Sequence, residues 1–206
     1  MGNKMISAYV EPNVKRSKNL ILWSALYLGA CWLSTLASFM NPSTTEFKAT
    51  DIFSYLLFPA TIGAFIFTFQ WVRSLMITAR FIQPAGIGYR QGWAFWSWFT
   101  PFACFWIPRR LITRPFECFT WFIGRSSLLS TNLWWGSWVA SLVISNLSLR
   151  AFFMAPELVA GLDLISTILV TIAFPQWKTI IENVTDAQTV AGERIMSQQQ
   201  SNGPLG

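Results

Sequence analysis

The sequence predicts an all-α integral membrane protein: a bundle of four transmembrane helices plus a Trp/Pro-rich segment that re-enters or lies along the interface. Three observations carry this class. Of 206 residues, 53% are apolar and 12% charged, against roughly 25% charge in a soluble domain. So little charge cannot cover a water-facing surface of this size. Mean hydropathy is +0.41. The apolar runs are helix-length, not the alternating ten-residue strands of an outer-membrane barrel, and lipid demands a backbone that satisfies its own hydrogen bonds.

The elements follow in chain order. Residues 1–19 are polar, with Lys4, Lys15, Arg16 and Lys18, and read as a cytoplasmic segment. Residues 20–39 carry no charge, and at about 1.5 Å per residue they match one bilayer core of ~30 Å. A signal peptide would have a shorter apolar region, so an uncleaved first span is expected. Ile6 stands where a myristoylation pattern needs Ser or Thr. Asn41-Pro42 ends the span. Residues 52–72 form the second, with Pro59 expected to kink it. Residues 83–88 are a loop by their Pro and Gly.

Residues 92–125 are unusual. The run GWAFWSWFTPFACFWIP holds Trp93, Trp96, Trp98 and Trp106, with Pro101 inside it and Pro108 at its end. It is short and interrupted, which suits an interfacial or re-entrant piece better than a span. Arg109, Arg110, Arg114, Glu117, Trp121 and Arg125 follow. Arg110, Arg114 and Glu117 share one helical face, and the stretch reads as a helix at headgroup level that Pro115 threatens to break. The third span is expected over 133–149, opened by the belt-type residues Trp134, Trp135 and Trp138. The fourth is expected over 158–177, started by Pro156-Glu157. The membrane domain thus covers 20–177, and 178–206 reads as a polar cytoplasmic tail ending in a disordered stretch.

Counting basic residues selects the topology. If the Trp93–Ile107 run crossed, 8 Lys/Arg would lie inside and 7 outside. If it turns back, only Lys48 and Arg150 lie outside and 13 inside. The positive-inside rule therefore selects four spans, with both termini in the cytoplasm.

Between residues 70 and 140 the chain resembles a bacterial family of membrane proteins, domain of unknown function 4328. The resemblance rests on Trp71-x-Arg73, Gly92-Trp93-Ala94, Trp98-Phe99-x-Pro101-Phe102, Pro108, Arg110, and Trp134-Trp135 with Trp138. Cys104 stands where members often carry Asn. The resemblance implies a polytopic bacterial membrane protein and supplies no activity.

Composition excludes several chemistries. With no His, His-ligated haem, the usual catalytic zinc sites and the His-dependent nucleophilic dyads and triads are excluded. No metal site or cofactor is expected. Cys31, Cys104 and Cys118 lack CxxC spacing and read as small buried hydrophobes. The net charge of +6 is ascribed to anionic lipid heads rather than nucleic acid.

Three groups could carry function. Asp163 lies about five residues, roughly 8 Å, inside the last span. An intramembrane acid is costly, so an intramembrane ion pair with Arg150 is expected, with an ion or proton site as the alternative. Ser137, Ser141 and Ser145 recur every four residues, Ser148 extends them, and they read as a helix-packing face or a wet lining. Arg109, Arg110 and Arg114 with Trp93, Trp98 and Trp106 are expected to anchor the chain to lipid or the interface. Pro101 leaves the Ser97 carbonyl without its helical donor, so a gated cytoplasm-side cavity is the other reading. Together these features predict a non-enzymatic accessory or scaffolding subunit of the bacterial inner membrane. Membrane lipids and other subunits, or further copies, are the expected partners; a small oligomeric channel or transporter is the alternative. An intramembrane enzyme is disfavoured because Asp163 has no second intramembrane acid.

Overall fold

The computed structural model describes residues 2–40, 55–84, 88–100 and 102–201, without the side chains of 2–9, 11–12 and 199–201. Pro101 lies outside the described residues, as does Lys48. Among the described residues every element is helical: α1 (Gly2–Met40), α2 (Leu57–Ile82), α3 (Trp93–Trp96), a 3-10 turn (Ala103–Phe105), α4 (Ile107–Ile123), α5 (Asn132–Met154), a second 3-10 turn (Pro156–Leu158) and α6 (Val159–Ser201). Four helices are long and apolar enough to cross a membrane: α1, α2, α5 and α6. Residues 92–125 supply none of them. Their helix is broken into α3, a 3-10 turn and the amphipathic α4. The class predicted from composition and run length is therefore the one found.

Three elements differ from expectation. Pro59 falls in the first turn of α2, where its missing N–H would have had no partner, so no mid-helix kink arises there. Pro115 lies inside an unbroken α4. An interior proline costs about 3 kcal/mol, but Leu111, Ile112, Phe116 and Phe119 on either side are buried, each worth roughly 1.5–3 kcal/mol. The polar tail is also helical as far as Ser201. Ile180, Ile181, Val184, Ala187, Ala191 and Ile195 recur at helical spacing within it and are all buried.

The chain divides into two compact units. The apolar unit comprises Leu20–Ile66 and Thr131–Thr179. Its buried residues are largely small or hydroxyl-bearing, among them Ser24, Ala30, Thr35, Ala60, Ser137, Ser141, Ser166 and Thr167, with Leu20, Trp134, Trp135, Val170 and Trp177 the large apolar ones. Its exterior carries Leu22, Leu26, Leu36, Ile62, Leu147, Ile165 and Ile172. That inversion is the pattern lipid imposes, since apolar side chains lose nothing by facing acyl chains while small and hydroxyl residues let helices approach. At the N-terminus of α5, Thr131 makes no side-chain cap. The Gln176 carboxamide oxygen of α6 accepts from the Trp134 N–H instead. The Trp134 ring stacks on Trp177 with centroids 4.6 Å apart, and Trp177 Nε1 donates to Ser24 Oγ at 3.2 Å. Trp134 and Trp135 are thus buried in protein, not set in an outward aromatic belt.

The basic unit comprises Met1–Asn19, Phe67–Ser130 and Ile180–Gly206. Apart from the exposed rings of residues 96–106, Trp121 and Leu128, its surface pattern is the ordinary one. Trp71, Leu75, Met76, Leu111, Phe119, Ile181 and Val184 are buried, while Arg73, Arg110, Glu117, Glu182, Asp186 and Glu193 are exposed. α1 and α6 come close: a Cβ on Gly192 would lie 2.7 Å from Val10 Cγ2. α4 ends at Gly124, whose φ of 72° is left-handed. There the Arg125 N–H reaches the Thr120 carbonyl and the Gly124 N–H that of Trp121, the Schellman arrangement. Of 15 Lys/Arg, 12 fall in this unit; Lys48, Arg150 and Lys178 are the others.

Candidate functional site

In the apolar unit, Asp163 of α6 sits between two other helices. Ser38 Oγ of α1 donates to its carboxylate at 3.1 Å, and Ser148 Oγ of α5 donates at 2.6 Å. The expected partner Arg150 is not one of them: no Arg150–Asp163 ion pair forms among the described residues, and Arg150 is exposed. The reason is angular. Ser148 and Arg150 are two residues apart, about 200° around a helix, so a seam that uses Ser148 turns Arg150 away.

The expected serine ladder does face a neighbour. Ser145 Oγ lies 2.8 Å from Ser166 Oγ, Ser166 Oγ also donates to the Ser141 carbonyl at 3.2 Å, and Ser137 is buried. A parallel ladder joins α6 to α1. Thr35 and Thr167 share a hydrogen bond at 2.7 Å, and Trp32 Nε1 donates to Thr171 Oγ1 at 3.2 Å. Asp163, Thr167 and Thr171 recur every four residues, the spacing of one helix face, and sequence reading missed that row.

In the basic unit, residues 93–106 follow a three-residue rhythm. Ala94, Ser97 and Ala103 are buried. Trp96, Phe99, Phe102 and Phe105 are exposed, at 62%, 58%, 74% and 43%. Tight turns and 3-10 geometry have three residues per turn, so positions three apart align. Phe95, in the remaining row, meets Phe69 of α2 edge-on, with centroids 5.7 Å apart. Phe102 has φ 62° and ψ −46°, backbone that costs a non-glycine residue about 1–3 kcal/mol. Packing against protein does not repay that cost, because the ring points outward.

The anticipated anchors divide. Trp106 and Arg110 are exposed, whereas Trp93, Trp98, Arg109 and Arg114 are half-buried. Trp98 Nε1 donates back to the Ala94 carbonyl of α3 at 3.1 Å. Arg114 lies 5.2 Å from the Tyr89 ring centroid, a cation–π contact within the protein. Trp96, Phe99, Phe102, Phe105 and the 72%-exposed Trp121 form the outward aromatic surface that sequence reading passed over. The expected freeing of the Ser97 carbonyl depends on Pro101, which lies outside the described residues. Ser97 itself is fully buried, and its Oγ finds no partner among the described residues.

A second polar cluster lies in the basic unit. Gln188 of α6 is buried and donates from Nε2 to Thr78 Oγ1 at 2.7 Å and to Ser74 Oγ at 3.3 Å, both on α2. Its Oε1 accepts from Asn13 Nδ2 of α1. Trp71 Nε1 donates to Thr185 Oγ1 at 3.0 Å. Burial pushes the Cys118 thiol above its ordinary pKa, and the thiol faces the Ala79 carbonyl at 3.7 Å. The three cysteines are unbridged.

No protein-family model, curated protein or solved structure matches this chain. The fold and surfaces define its class: an all-α membrane protein with four apolar helices and a tryptophan-rich cluster.

Proposed function

We propose that this chain is a non-enzymatic accessory or scaffolding subunit of a bacterial inner membrane, crossing it four times with both termini in the cytoplasm. The observation that supports this reading most is the contrast between its units. One is inverted, with leucine and isoleucine outside and hydroxyls inside. The other has a conventional apolar interior and holds 12 of 15 basic residues, the distribution expected of a cytoplasmic face. The hydroxyl ladders of the apolar unit are occupied in joining α1, α5 and α6, which favours packing over a wet lining. The exposed carboxylates of α6, at Glu182, Asp186 and Glu193, of which Asp186 also pairs with Arg125 at 3.5 Å, are the surface we assign to a partner. Detergent-free extraction into polymer discs tests this. A stoichiometric partner should accompany the chain and be released when Glu182, Asp186 and Glu193 are replaced by Lys. Repeated isolation as a lone monomer contradicts the reading.

One observation favours the alternative of an oligomeric channel or transporter. Asp163 is an acid placed where α1, α5 and α6 meet. Under that reading, ion flux into liposomes changes in Asp163→Asn; absence of flux from the unsubstituted chain rules it out.

A further inference from the structure

Trp96, Phe99, Phe102 and Phe105, with Trp106 next in the chain, are large rings that remain 43–74% exposed. We infer that they form a wedge inserted into the cytoplasmic leaflet and that Arg110, exposed at the start of α4, holds the phosphate of an anionic phospholipid headgroup. The inference rests on the membrane reading above and adds an occupant for this surface.

Four features point to lipid rather than to a folded partner. The exposed row contains no polar group other than indole N–H, and a protein interface normally mixes rings with hydrogen-bonding groups. Tryptophan at its two ends matches the residue that settles at the headgroup boundary. The segment itself is basic: residues 88–125 hold Arg90, Arg109, Arg110, Arg114 and Arg125 against one acid, Glu117, and although Arg125 pairs with Asp186 at 3.5 Å the balance still calls for an anionic complement. Phe102 adopts the left-handed backbone, which among the described residues no other non-glycine residue does, and it is the most exposed ring of the row. Strain spent on presenting a ring outward makes sense where an apolar medium receives it. Phe95 fixes the segment to α2 through Phe69, so the wedge is carried on a rigid support.

The test uses the full chain with Cys31, Cys104 and Cys118 replaced by Ala, reconstituted in vesicles of phosphatidylcholine and phosphatidylglycerol. Spin labels are placed singly at Phe102→Cys, Leu26→Cys and Glu193→Cys. The expected result is that positions 102 and 26 collide with oxygen and are shielded from a water-soluble nickel complex, while position 193 does the reverse. Position 26 in lipid with position 102 in water overturns the wedge and leaves the membrane reading standing. Position 26 in water overturns both. Position 102 shielded from both reagents shows a protein cover and overturns the lipid assignment. In the otherwise unsubstituted chain, Arg110→Gln should weaken the preference for phosphatidylglycerol over phosphatidylcholine roughly fivefold. An unchanged preference overturns the headgroup contact.

Discussion

Gln188 joins three helices through one carboxamide. Its Nε2 serves Ser74 and Thr78 of α2, and its Oε1 serves Asn13 of α1. Gln188→Ala leaves buried polar groups unpaired, each costing about 1–3 kcal/mol. A loss of roughly 2–4 kcal/mol is expected, read as a lowered unfolding midpoint in mild detergent. Asp163 gives a sharper contrast. Ser148→Ala should cost about 1 kcal/mol, the usual scale for one interhelical bond in lipid, whereas Arg150→Gln should change stability by less than ~0.5 kcal/mol. The sequence marked Asp163 correctly as an acid in need of a partner but assigned that partner by charge. Helical register was the better guide: the row Ser141, Ser145, Ser148 defines a face from which Arg150 is turned about 200°. Ser38, at the far end of α1, could not be paired with Asp163 from sequence because 125 residues separate them. The raised thiol pKa of Cys118 predicts slow alkylation by iodoacetamide at neutral pH, since the thiolate is the reacting form. Labelling of Cys118 as fast as a solvent-exposed cysteine contradicts its burial.

At the scale of elements, the helices follow from periodicity and their ends from tertiary contacts. α4 shows both. Its buried and exposed faces alternate at helical spacing, yet Pro115 sits in its middle and breaks nothing, because the buried face supplies more than the proline costs. Its C-terminus depends on Gly124, whose φ of 72° penalises a Cβ. Gly124→Ala should lower stability by about 1 kcal/mol, while Ala at exposed Ser126 should be neutral. α5 begins without a local cap and borrows Gln176 from α6, a contact no local sequence signal announces. The three-residue rhythm of 93–106 was legible in principle. Ala94, Ser97, Thr100 and Ala103 are small, and Trp96, Phe99, Phe102 and Phe105 are large. Neither the helical period of 3.6 nor the strand period of 2 reveals it. The helical continuation of α6 through 180–195 was legible as well, as a stripe of Ile, Val and Ala interleaved with Glu and Asp. Grouping the stretch by its polarity hid the stripe.

At the scale of the molecule, composition and run length were enough for the class because lipid leaves so few backbone solutions. α1, at 39 residues, and α6, at 43, are about 58 and 65 Å long. Each exceeds a bilayer core of roughly 30 Å, so each carries substantial length beyond it. The contacts within the chain assign residues 2–19 and 180–201 to the basic unit and residues 20–40 and 159–179 to the apolar unit. The division could not be read from hydropathy alone, since it depends on which segments of the chain pack together. The central claim is that residues 92–125 stay on one side, leaving four crossings and a cytoplasmic basic unit. Single cysteines at Leu128, Ser197 and Arg150, in a chain whose native cysteines are replaced by Ala, test it most directly with a membrane-impermeant maleimide. The account predicts that position 150 reacts in right-side-out vesicles and that positions 128 and 197 react only in inside-out ones. Reaction at positions 128 and 197 from the outer face, with position 150 confined to the inner, would mean that the tryptophan-rich segment crosses the bilayer.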